Sequence, residues 1–120
     1  MKLVEVAYFT PNVAEMSAFY KTLLGINPVA QSPDMAIFMT GHTKIFIHRT
    51  YTPGASDLPP ENHKAFEVPD VDAACEALTQ QGLTIEVPTK DYYWGRSAYL
   101  CDPDGHLIEL IQTQDVTTQP

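Results

Sequence analysis

Basic residues are scarce in this chain. Seven lysines and arginines stand against fifteen aspartates and glutamates, a formal net charge of -8. A surface of that sign repels phosphate backbones and anionic headgroups, which sets nucleic acid and membrane aside as partners. Its plainest service is solubility. Cysteine is scarcer still, with Cys75 and Cys101 the whole complement and no metal-knuckle spacing between them. Cys75 falls among alanines in a helical pattern and Cys101 at a strand end, so both read as small core residues in a reducing compartment. No apolar run nears the ~20 residues that a membrane-crossing helix needs. A nucleophile elbow, a phosphate loop and a dinucleotide fingerprint are all missing, which removes several enzyme classes. Met1 to Val6 runs straight into strand-like sequence with no signal peptide, so the cytoplasm is the expected location.

What is present is an ordinary globular composition, 44% hydrophobic and 18% charged over 120 residues. That suffices for one domain with one core and no staples. The chain also repeats itself. Ala7-Tyr8-Phe9-Thr10-Pro11-Asn12-Val13 aligns with Ala65-Phe66-Glu67-Val68-Pro69-Asp70-Val71 at a constant offset of 58. Each half begins with an apolar strand, a proline, an Asn or Asp cap, and a valine opening an amphipathic helix. Asn12 with Glu15 makes a capping-box pattern. Val13, Met16, Tyr20, Leu23 and Leu24 then recur at helical spacing, and Gly25 supplies a left-handed stop. Asp70 caps the second helix, Val71, Ala74, Cys75 and Leu78 form its stripe, and Gly82 ends it.

Three short strands are expected after each helix: 27–30, 35–39 and 44–48, then 84–87, 97–101 and 107–113. Asp102-Pro103-Asp104-Gly105 reads as the turn joining the last two. Tyr51 to Asn62 holds three prolines and a glycine and reads as a linker. A single domain over 1–114 is thus expected, with modules at 1–50 and 63–114, a linker at 51–62, and a polar tail at 115–120.

Two βαβββ units with Asp102-Pro103-Asp104-Gly105-His106-Leu107-Ile108-Glu109-Leu110 closing the second resemble the vicinal oxygen chelate superfamily. Glyoxalase I, extradiol dioxygenases, fosfomycin-resistance enzymes and metal-free bleomycin-binding proteins belong to it. The resemblance runs from Lys2 to about Thr113. It implies an α+β fold of two tandem βαβββ modules forming a curved sheet cup, the concave face lining a small-molecule site. It also implies a homodimer, with Glu5 of one chain approaching His63 and Glu109 of the other.

Metal ligands in the family project from the first and last strand of each module. Glu5 and His63 hold the two first-strand positions, again 58 apart, and Glu109 holds the last-strand position of the second module. Phe46 falls opposite Glu109 and cannot bind a metal. His48, two residues on along the same strand face, is a displaced candidate. A carboxylate inside a strand is costly to bury unless paired, hydrogen-bonded or coordinated, but solvent reaching Glu5 or Glu109 would remove that cost without any metal. One imidazole and two carboxylates suit Zn²⁺, Ni²⁺, Mn²⁺ or Fe²⁺. By the resemblance Glu109 or Glu5 would serve as ligand and base, and His48 as an auxiliary acid or base.

Asp91-Tyr92-Tyr93-Trp94-Gly95-Arg96 is the aromatic cluster. It reads either as a loop packed by its own rings or as a wall of the cup, with Trp94 and Tyr92 against a ligand and Arg96 pairing an anion. Phe9, Phe38 and Phe46 are candidates for lining or for plain core. His42 and His106 are expected in solvent-facing turns. Two functions follow: a glyoxalase- or dioxygenase-like metalloenzyme acting on a small oxygen-rich molecule, or a metal-free protein that sequesters its ligand between aromatic walls. An interaction module with an inert cup is a third, which Glu5, His63 and Glu109 argue against.

Overall fold

A computed structural model describes residues 1–54 and 60–112. The expected tail and the middle of the linker lie outside the described residues. Contacts divide the chain into two units, Val4–His63 and, separately, Met1–Leu3 with the residues from Lys64 onward. Most of the expected linker therefore groups with the first unit. Phe9 N–H donates to Asn62 Oδ1 at 2.8 Å there. Among the described residues no helix is long and apolar enough to cross a membrane.

The first unit holds β1 (Lys2–Thr10), α1 (Val13–Leu24), β2 (Ala30–Ser32), β3 (Met35–Thr40) and β4 (Thr43–Arg49). Its strands run in the order β2-β3-β4-β1, with β1 parallel to β4 and the other pairs antiparallel. The second holds β5 (His63–Glu67), α2 (Val71–Gln80), β6 (Val87–Tyr92), β7 (Gly95–Cys101) and β8 (Leu107–Gln112), in the order β5-β8-β7-β6. Both are βαβββ modules, and the fold is α+β as the repeat implies.

Each module has one helix and buries one strand face against it. In the first, Val13 packs with Ala36, Phe38 and Ile47, joined by Met16, Tyr20, Leu24 and Ile45. Even positions of β3 and odd positions of β4 thus face α1, and Tyr8 stacks on Tyr20 to place the even positions of β1 there too. Phe38 is consequently core and lines no site. The second core is Val68, Val71, Ala98, Leu100 and Leu110, with Ala74, Cys75 and Leu78 of α2 against it. Ser97, Tyr99 and Glu109 alternate onto the other face, and all three are buried.

Several expectations need correcting. Leu23 is exposed despite its helical spacing, because Leu24 takes the inward position of that turn. Cys101 is exposed, since it ends β7 beyond the last core residue, Leu100. The strand expected at 84–87 begins only at Val87 and runs on through polar Thr89, Lys90 and Asp91 to Tyr92. Backbone pairing with β7 selects that stretch, and its position at the end of the strand order tolerates Pro88, which has no N–H to donate. The strand expected at 27–30 likewise starts at Ala30 and ends at Ser32.

The two helix starts differ although their sequences align. Asp70 is extended and its Oδ1 accepts from Ala73 N–H at 3.1 Å. Asn12 makes no side-chain cap bond. Its backbone N–H donates instead to Thr10 Oγ1 at 2.9 Å. Gly25 does close α1 as expected, at φ 68°, and Asp102 to Gly105 forms the expected turn, with Gly105 N–H donating to Asp102 O. Asp70→Ala should therefore lower unfolding free energy by about 1 kcal/mol, whereas Asn12→Ala should cost only a few tenths, within the usual ~0.5 kcal/mol scatter of surface changes. Urea unfolding of the two variants beside the parent reads the difference, and equal losses would contradict the cap assignment.

Candidate metal centre

Glu5 enters the site through register. Parallel pairing of β1 with β4 sets Glu5 beside Lys44, Ala7 beside Phe46 and Phe9 beside His48, all on the face turned away from α1. Lys44 Nζ lies 3.1 Å from Glu5 Oε1. On the other oxygen, His63 Nε2 stands 3.6 Å from Glu5 Oε2. The Glu5 and His63 side chains are 15% and 12% exposed, so neither sits in bulk water. Burial by itself pushes the Glu5 carboxyl upward. The His63 imidazole and the Lys44 ammonium together outweigh burial and hold it below its ordinary value.

The His63 tautomer follows from its second nitrogen. Nδ1 lies 2.9 Å from the Glu61 carbonyl oxygen, which can only accept. Nδ1 therefore carries the proton, and Nε2 faces Glu5 either as an imidazolium N–H or with a bare lone pair. In the second state two electron-rich atoms confront each other, and a cation between them relieves the repulsion. A carbonyl on the distal nitrogen is the usual way a metal-binding imidazole is oriented. His48 is set in the same way, its Nδ1 2.8 Å from Arg49 O. Its ring sits among Phe9, Phe46 and Tyr51, with centroids 5.7, 5.6 and 6.2 Å away. Phe9 also stacks on His63.

Glu109 belongs to the second module, on β8 opposite Tyr99 of β7. It is only 3% exposed. Ser97 Oγ donates to its Oε2 at 2.7 Å, and Trp94 Nε1 donates to the same oxygen at 3.1 Å. Such charge-assisted bonds offset the cost of taking a carboxylate out of water.

The turn that delivers Trp94 has its own logic. Asp91 and Tyr92 end β6 and Gly95 opens β7, so the expected aromatic loop is a hairpin with Tyr93 and Trp94 at its tip. Among the described residues no non-glycine has a positive φ, which bars the primed turns usual for two-residue hairpins. Gly95 takes the reversal at φ 141°. Trp94 stacks on Tyr92 with centroids 4.4 Å apart and planes 5° from parallel. Burial, then the charge of Glu109, pushes the Tyr92 phenol up. Tyr93 projects into solvent, 97% exposed.

The structure brings Glu5 and His63 together, sets Glu109 beside the aromatic hairpin and gathers Phe9 and Phe46 around His48, all candidates in the sequence, though the last two groupings were not expected from it. Sequence reading did not foresee Lys44 or Ser97. Lys44 emerges only from the strand register, while Ser97, a lone polar residue before Ala98-Tyr99-Leu100, carried a faint signal. Arg96 is engaged by Asp72 and Asp91 of its own chain, at 3.0 and 2.9 Å, rather than standing ready for an anion. Within the one chain described, Glu5 lies 3.6 Å from His63, a meeting that the resemblance assigns to two copies. His42 and His106 are exposed as expected.

The sequence profile of the Glyoxalase/Bleomycin resistance protein/Dioxygenase superfamily matches residues 2–110. The chain belongs to this superfamily. A lactoylglutathione lyase of Pseudomonas aeruginosa is 36% identical over 62 residues, which cover 52% of this chain and 35% of that enzyme. The chain thus matches about a third of that relative's length. Among solved structures, methylmalonyl-CoA epimerase from Mycobacterium tuberculosis superposes with a TM-score of 0.67 at 18% identity, covering 95% of this chain and 89% of its own. A chain described as NAD-dependent benzaldehyde dehydrogenase from Legionella pneumophila gives 0.69 at 22% identity, covering 92% and 98%. At such identities the structural likeness speaks for the superfamily fold alone.

The Glu5 environment has a pH signature. A carboxyl held low in the folded state adds stability above its unfolded pKa and gives it up as pH falls through the folded value. The window therefore opens below about 4.3, the ordinary value for glutamate. Stability of metal-free protein should drop through that window, and Glu5→Gln should flatten this part of the profile. Urea midpoints from pH 6 down to about 3 would show it. An unchanged acid limb in the variant would mean that Lys44 and His63 do not stabilise the carboxylate.

Proposed function

We propose that the protein is a metal-dependent enzyme of the glyoxalase or dioxygenase kind, acting on a small molecule with neighbouring oxygens. The observation that carries this reading is His63: its distal nitrogen is committed to the Glu61 carbonyl, and Nε2 faces a carboxylate held low in pKa. Glu5, His63 and Glu109 would supply the protein ligands, a set of one imidazole and two carboxylates that suits Zn²⁺, Ni²⁺, Mn²⁺ or Fe²⁺. Bound there, a divalent ion supplies Lewis-acid stabilisation of negative charge developing on substrate oxygens.

The chain's own residues do the rest. Lys44 and His63 divide the two Glu5 oxygens between them, which fixes the carboxylate's rotation. Ser97 and Trp94 hold Oε2 of Glu109 and so orient its plane. His48, with Nδ1 protonated, keeps Nε2 as a proton acceptor in its neutral form. Phe9, Phe46 and Tyr51 set their rings around that imidazole.

The second reading is a metal-free binding protein. Phe46 supports it, because a phenyl ring stands where the first module would supply its last ligand, and so does Lys44, a cation already seated on Glu5.

Titration of tag-free protein with Mn²⁺, followed by electron paramagnetic resonance, separates the two. One ion per chain is expected, lost in His63→Ala at concentrations that saturate the parent. Trp94→Phe keeps an aromatic ring on Tyr92 but removes the donor to Glu109, and should weaken uptake roughly ten- to a hundredfold. Parent protein that takes up no Mn²⁺, Zn²⁺, Ni²⁺ or Fe²⁺, yet binds an aromatic ligand, leaves the sequestration reading standing.

A further inference from the structure

The strand face of the first unit turned away from α1 is graded from charge to grease. Its rows follow from register. Met39, Lys44 and Glu5 form the first, Ile37, Phe46 and Ala7 the second, and Met35, His48 and Phe9 the third. Rows two residues apart are spaced about 6.6 Å, so the charged row and the Phe9 row lie about 13 Å apart. Beyond the first row these strand residues are apolar except His48, and the third row carries the His63 ring stacked on Phe9, with Tyr51 edge-on to Phe9.

Lys44 is the one lysine or arginine that β1 from Glu5 onward, β3 and β4 place on this face. Arg49 alternates to the other side, where Asp34 and the Pro33 carbonyl hold it at 2.8 Å each. The Lys44 side chain is 39% exposed, with Nζ on Glu5 and 6.0 Å from the Phe46 ring centroid. Its ammonium therefore borders both the charged row and the apolar row.

Charge then selects the ligand. In the reading above, Glu5 and Glu109 neutralise a divalent ion between them. Lys44 is left as a surplus positive charge whose one carboxylate is shared. A neutral ligand leaves that surplus, and an anionic oxygen cancels it. On an acidic chain, whose overall field repels anions, a local cation is what an anionic ligand requires.

We infer that Lys44 is a specificity residue, and that the site takes a small carboxylic acid with a neighbouring oxygen and an aromatic or apolar body, the acid beside Lys44 and the body over Phe46 toward Phe9. This rests on the metal-dependent reading and adds the ligand's charge and polarity.

Mandelate and its neutral amide, mandelamide, are suitable probes, since they differ in charge and share the ring and the neighbouring hydroxyl. Calorimetry on Mn²⁺-loaded parent, Lys44→Met and Lys44→Arg tests the inference without any assay of activity. The parent should bind the acid more tightly than the amide. That gap should narrow about tenfold in Lys44→Met, measured at Mn²⁺ concentrations that saturate the variant, and should survive in Lys44→Arg. A gap of the same size in Lys44→Met overturns the role of Lys44 and leaves the metal reading intact. Failure of both probes to bind Mn²⁺-loaded parent overturns the ligand class. Parent that takes up no Mn²⁺ overturns the metal reading and this inference together.

Discussion

One helix per module covers one face of its strands, and that geometric fact sorts the described strand residues. Side chains alternate along a strand, so residues on the helix side enter a core, and their neighbours are left to be satisfied otherwise. In the first module the helix side takes Ala36, Phe38 and Ile47, and the other side receives Glu5, Lys44, Phe46 and His48. In the second, α2 takes Ala98, Leu100 and Leu110, leaving Ser97, Tyr99 and Glu109. The candidate chemistry is thus the complement of the packing.

Carboxylates on that second face set a further constraint. A buried carboxylate needs donors or a cation, and the modules meet the need differently. Glu109 gets hydroxyl and indole donors, both on one oxygen. Glu5 gets an ammonium on one oxygen and an imidazole nitrogen on the other. The first arrangement is neutral donors around a charge, and the second is a charge balanced by charge. Only in the second would a metal ion compete with a proton for the same imidazole lone pair.

Much of this was legible in the sequence because repeats and period-two alternation are one-dimensional signals. The offset between the halves matched Glu5 with His63 as equivalent first-strand positions, and the stripe from Val13 to Leu24 located the helix. What escaped depends on partners distant in sequence. Lys44 gains meaning only once β1 lies parallel to β4, a pairing no local pattern announces. Ser97 needs the β7–β8 register and the Gly95 turn before it reaches Glu109. β6 was misplaced because Thr84 to Val87 looks like a strand by composition, while the real strand is chosen by the hydrogen bonds that β7 offers. In each case the information lies in pairing rather than in propensity.

Asn12 and Asp70 show how far a repeat can be trusted. They align, both residue types favour N-caps, and only Asp70 caps, since Thr10 claims the Asn12 backbone. Pattern equivalence conserves the element and not the bond. The same distinction governs Phe46 and Glu109. They occupy matching places in their modules, yet one contributes a ring to the cluster around His48 and the other a buried carboxylate. A fold made of two copies can use one copy of a position for a buried carboxylate and the other for a ring cluster. Lys44, two residues from Phe46 and on the same face, is then part of one divergence: where the second module keeps a buried carboxylate, the first presents a ring and a cation. Such an asymmetry suits a ligand that brings its own negative charge to the first module's side.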